Sequence, residues 1–228
     1  SGTAKLLLLG GMGLSLYGNL LSAYSSYAVH SDYKRLHGSS GSDDEPQRIS
    51  FVQAVAAPFT PEHVFNPDVL PLIGLSTLTG FTVDDYREMG RFFGRERVEF
   101  LGFSVTPTVG FGLQVLLACG LVTANAAWEE LAFRGLRLQA NGYLDSSLSF
   151  GFAHLPNMLA PGVSVEATLM QTLFATAFGF YAGDRVLRGE NGLERMIALH
   201  FWNNLLTLVL GYLADPESDQ LLTVTVRF

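Results

Sequence analysis

Glu129 and Glu130 stand side by side directly after a run, Phe100 to Trp128, that contains no formal charge. Carboxylates at membrane depth need a reason to be there: a charged side chain at the centre of a membrane helix costs about 2.5 to 3.5 kcal/mol, so it faces a bundle interior or a water cavity. Arg134 follows Glu130 by four residues, on the same helical face, which makes the two a candidate ion pair. Glu129 lies about 100° around the helix from Glu130 and looks into a different environment, so one glutamate can be structural while the other reacts. A carboxylate withdrawn from water is a better base than a solvated one. The plainer reading is that the helix has left the membrane by this point and both charges are solvated.

Further polar side chains interrupt the later apolar stretches. Phe150-Gly151-Phe152-Ala153-His154 puts an imidazole just ahead of Leu155 and Pro156, and Leu199-His200-Phe201-Trp202-Asn203-Asn204 puts a second imidazole and two amides inside the last stretch. His200 and Asn204 are four apart and project to one side of a helix, with Asn203 near that face. Taken singly, a histidine in an apolar segment reads as hydrogen-bonded core, and an amide as glue between membrane helices. Taken together they form a set able to hydrolyse a peptide bond. The carboxylate takes a proton from water, and an imidazole orients that water and hands a proton to the leaving amine. N–H donors stabilise the developing oxyanion, a contribution of about 2.7 to 4 kcal/mol for one such donor in a soluble protease.

In this order and in this apolar setting, Glu129-Glu130-x-x-x-Arg134, Phe150-x-x-x-His154 and His200-x-x-x-Asn204 resemble the three motifs of the CAAX protease and bacteriocin-processing (ABI) family, which are intramembrane glutamate-type endopeptidases. The resemblance covers roughly residues 100–214 and implies an all-α fold, a polytopic membrane helix bundle around a conical catalytic cavity. It implies Glu129 as the catalytic glutamate, His154 as the histidine that shares the activated water, and His200 with Asn204 as oxyanion stabilisers. Glu130 and Arg134 match positions that shape the site. The expected partners are a membrane-associated peptide or protein substrate and the lipid bilayer, and no cofactor is expected. The chain departs from the family in having shorter spans, more often broken by Gly and Pro.

Several elements must bring these groups together. Lys5 to Asp32 encloses a stretch without charge, opening Leu6-Leu7-Leu8-Leu9 and long enough to span; a signal peptide is the rival reading of it. Ser1-Gly2-Thr3 reads as a trimmed terminus. Gly38 to Gln47 is a Gly/Ser/acidic linker. Ile49 to Val83 is apolar but broken by Pro58, Pro61, Pro67 and Pro71, which predicts short or re-entrant helix. Residues 84–99 carry the charge pattern of an amphipathic helix at a membrane surface. Phe100 to Trp128 is the strongest span, and uncharged stretches at Ser146–Val165, Ala167–Gly183 and Met196–Ala214 predict three more helices. The tail Leu221–Phe228 alternates in its Thr-Val-Thr-Val portion and suggests a short strand. The expected division is a membrane helix and linker over 1–48, a Pro-broken and interfacial segment over 49–99, the catalytic bundle over 100–214 and a tail over 215–228.

Composition agrees with lipid as the solvent. Of 228 residues only 15% are charged and 48% are hydrophobic, against about 25% charged in an average soluble protein. The net charge of −7, with scattered Lys and Arg, gives no footprint for nucleic acid. One cysteine, Cys119, rules out an intrachain disulfide or a CxxC metal clip and reads as a small buried hydrophobe. A zinc hydrolase is the nearest rival, since one Glu and two His are a known ligand set, though HExxH is absent. A non-catalytic membrane scaffold or chaperone, and a transporter, are further rivals, because each can hold polar groups inside a bundle.

Overall fold

The computed structural model describes residues 2–37, 48–159, 164–189 and 191–217. Its fold is an all-α helical bundle. The first helix, α1, runs from Gly2 to His37. Short helices α2 (Phe51–Ala56), α3 (Pro61–Val64) and α4 (Leu70–Thr79) follow, with a 3-10 turn at Ala57–Phe59. These are the pieces that the proline spacing predicts: Pro58, Pro61 and Pro71 each sit in the first turn of an element, where a missing N–H costs nothing.

The charged segment gives α5 (Val83–Arg91), shorter than residues 84–99 led one to expect. Thr82 and Asp85 close a capping box at its start, and Asp84–Arg87 and Glu88–Arg91 pair along its surface at 2.7 Å each. No residue of α5 is buried. The chain then turns into a hairpin of β1 (Val98–Phe100) and β2 (Phe103–Val105), in the register Val98↔Val105 and Phe100↔Phe103. Leu101 and Gly102 both have positive φ, 51° and 83°, which is what a two-residue hairpin turn requires. This hairpin takes the start of the uncharged run away from the helix. The strand suggested for 221–228 and the linker at 38–47 lie outside the described residues.

Helix α6 spans Pro107–Glu130 and passes without a break into a π-helical segment, Leu131–Arg137, and then α7 (Leu138–Asn141). Next come α8 (Tyr143–Phe152), a 3-10 segment at Leu155–Leu159, α9 (Val165–Arg188) and α10 (Gly192–Ala214). The expected helix over Ser146–Val165 is therefore broken. Pro156 has no N–H to give and clashes with a continuing helix, so α8 stops ten residues after it starts. At about 15 Å it is too short to cross a hydrocarbon core of about 30 Å. Among the described residues, three helical stretches are long and apolar enough to cross a membrane: Gly2–Arg35, Pro107–Asn141 and Gly192–Ala214. The protein is a multi-pass integral membrane protein.

The main core joins α1, α6 and α10. Leu16 and Leu20 of α1, Val122 and Ala126 of α6, and Ile197 and Phe201 of α10 are buried in one cluster. A smaller cluster of Val69, Ile73, Ala182, Met196 and Leu199 fastens α4 and α9 to α10. Helices α8 and α9 cross closely because glycine lets them. A Cβ on Gly179 would lie 2.8 Å from the Ser147 carbonyl oxygen, and one on Gly151 would collide with Thr176. Gly179 and Gly183 form a GxxxG face, the small-residue contact typical of membrane helices.

Candidate active site

The last turn of α6 carries the two glutamates, and the π-helical segment begins at the next residue. Such widened turns recur at functional sites. The Ser146 hydroxyl of α8 donates to the Phe133 carbonyl within this segment at 2.7 Å. Glu129 and Glu130 are 3% and 0% exposed, so the solvated reading of these charges does not hold.

Their partners differ. One oxygen of Glu130, Oε1, accepts from Arg134 Nη1 at 3.1 Å and meets His200 Nδ1 at 2.9 Å. Arg134 is itself fully buried and lies over the ring of Phe150, 3.9 Å from its centroid. Phe178 flanks it on another side at 5.3 Å. Cation–π contact thus replaces part of the hydration that the guanidinium has lost. Glu129 instead accepts from Asn125 Nδ2 at 2.9 Å through Oε1; its Oε2, like Glu130 Oε2, is buried without a hydrogen-bond partner among the described residues, and lies 3.7 Å from His200 Nε2.

The imidazoles come from two elements. His154 follows the end of α8, and its Nδ1 is 2.8 Å from the Phe150 carbonyl. A carbonyl can only accept, so Nδ1 carries the proton and Nε2 is left as the acceptor of the neutral ring. His200 sits mid-α10, with the rings of Phe150 and Phe178 at 6.0 and 5.7 Å. One turn further, Asn204 Nδ2 donates to Asn125 Oδ1 at 3.4 Å, and Asn203 Nδ2 donates to Asn204 Oδ1 at 3.3 Å.

A cavity of about 370 Å³ opens against this group. His154, His200, Asn203 and Asn204 supply polar wall; Leu72 and Leu75 of α4 and Phe174 and Phe178 of α9 supply apolar wall. Glu129 does not itself line the cavity; it lies behind His200, which does. The fold therefore gathers all six residues singled out from the sequence. Among the described residues no group of three or more His, Cys, Asp or Glu side chains is arranged to hold a metal ion.

Sequence reasoning missed two contributors. Asn125 lies in the uncharged run, and its signal was an amide four residues ahead of Glu129, on the same helical face. The α4 wall gave no signal at all, since nothing local ties Leu72 and Leu75 to cavity residues as far along the chain as His154 and His200.

No curated protein and no solved structure matches the chain. A family model does, over residues 111–206: the one described as Rce1-like, Type II CAAX prenyl endopeptidase Rce1-like. That stretch, less than half of the chain, holds Glu129, Glu130, Arg134, His154, His200 and Asn204, and over it the chain is similar to that family.

Proposed function

We propose that the protein is an intramembrane endopeptidase that hydrolyses peptide bonds of membrane-associated substrates with a glutamate-activated water. The observation that carries the reading is Glu129 Oε2: like Glu130 Oε2 it is buried with no hydrogen-bond partner among the described residues, and it lies 3.7 Å from Nε2 of His200, an imidazole of the cavity wall. An orphaned acceptor of this kind is costly to keep, and a water proton is the partner that catalysis would give it.

In this mechanism Glu129 removes a proton from water held between it and His154, whose Nε2 is free to accept the water's other hydrogen. The new C–O bond forms as the carbonyl electrons move to oxygen. His200 donates to that oxygen from Nε2; with Nδ1 engaged by Glu130, Nε2 is a donor when the ring carries both protons. Asn204 has a second Nδ2 hydrogen for the same oxyanion. The C–N bond then breaks as the amine leaves with a proton passed on by Glu129 and His154. Glu130 and Arg134 hold His200 in orientation. The apolar walls from α4 and α9 suit apolar side chains or lipid-like groups beside the scissile bond. Removal of the base is the direct test: purified Glu129→Gln, reconstituted in lipid with a panel of membrane peptides, is expected to be folded and inactive. Full cleavage by that variant overturns the reading.

A further inference from the structure

A chain of amides links the cavity wall to the carboxylate. Asn203 donates to Asn204 at 3.3 Å, Asn204 to Asn125 at 3.4 Å, and Asn125 to Glu129 Oε1 at 2.9 Å. Asn125 is the junction of this chain. It is 2% exposed, it stands one turn before Glu129 on α6, and it faces Asn204 from across the α6–α10 interface. An amide buried between membrane helices need only find some partner to be tolerated. This one uses its donor and its acceptor on two different candidate site residues, which glue alone does not require.

We infer that Asn125 is a positioning residue, fixing at once which oxygen of Glu129 is free and where the Asn204 amide points. Its Nδ2 occupies Glu129 Oε1, so that Oε2 is the oxygen left for water. Its Oδ1 takes one Nδ2 hydrogen of Asn204, which turns the other away from Asn125 and makes it available to a substrate carbonyl. Base and oxyanion donor, carried by different helices, are thereby kept in one register. A misplacement of about 1 Å at such groups can cost about 100-fold in rate. The inference rests on the endopeptidase reading above.

Asn125→Leu, close in shape but without hydrogen-bonding groups, tests it in lipid-reconstituted protein. The expected result is a fall in kcat of about 10- to 100-fold at nearly unchanged KM, with the melting transition retained. Asn125→Thr keeps a hydroxyl and is expected to recover part of that loss; it also carries the test against wild type if the leucine variant does not fold. In a double-variant cycle, Asn125→Leu combined with Asn204→Ala should cost clearly less than the product of the two single losses. An unchanged kcat in a folded variant, a loss confined to KM, or losses that multiply as for independent sites overturns the inference. If Glu129→Gln is inactive while Asn125→Leu is fully active, only this inference fails; if Glu129→Gln is itself active, the endopeptidase reading fails with it.

Discussion

Helices α1 and α10 have the same mean hydropathy over their most apolar windows, 1.4, yet 17% of that window is buried in α1 and 61% in α10. Leu7 and Leu14 of α1 are 74% and 80% exposed, and lipid is the natural partner for them. In α10 the buried set includes Glu194, His200 and Asn204 among apolar neighbours. Two helices equally able to cross a membrane thus divide the work. One turns large apolar side chains outward, where lipid can cover them; the other hides polar groups that lipid would reject. Hydropathy identifies what can span, while burial of a polar side chain identifies where a span has a further task.

This contrast can be tested by substitutions graded in effect. The largest is expected from Glu129→Gln, which removes the proposed base from the buried side. Loss of a general base costs about 10²- to 10⁴-fold in rate, measured by cleavage of a reconstituted membrane peptide, with the melting temperature unchanged. Next is Arg134→Leu, which strands Glu130 in the interior. Breaking a buried pair costs about 3 to 5 kcal/mol, to be read as a large loss of thermal stability in detergent. A variant as stable as wild type would mean that His200 alone suffices for Glu130.

Gly179→Leu should come third. It wedges a side chain against the Ser147 backbone, where α8 and α9 meet, and overpacking of this kind costs about 1 to 3 kcal/mol. Because α8 carries the turn that ends in His154, activity should fall along with stability. The smallest effect is expected from Leu14→Ala on the lipid face of α1, within about 0.5 kcal/mol and without change in cleavage. A marked loss there would show that α1 meets protein rather than lipid, and the contrast between α1 and α10 would collapse.

Much of the candidate site could be read along the chain because its spacing is helical. Glu130 and Arg134, and likewise His200 and Asn204, are one turn apart, so their shared faces follow from 3.6 residues per turn. Asn125 and Glu129 obey the same rule, but an isolated amide in an apolar run has an ordinary explanation as interhelical glue, and it gained meaning only beside Asn204. Local chemistry misled in two places. The run starting at Phe100 holds no charge, yet Leu101 and Gly102 turn it into a hairpin before α6 begins. The uncharged stretch at Ser146–Val165 promised a span, and the break at Pro156 ended it. Absence of charge is necessary for a membrane helix but does not set its ends.

The sequence by itself determined the solvent, the helical class and the three polar motifs. Each follows from composition or from the short-range geometry of one helix. Only the tertiary structure decided that Glu130 pairs with Arg134 and His200 while Glu129 is held by Asn125, because that depends on His200 arriving from seventy residues away. It also decided that α4 and α9 wall the cavity. The physical reason is range: periodicity constrains neighbours within a turn or two, whereas burial and hydrogen-bond partners across helices are set by how separate faces pack.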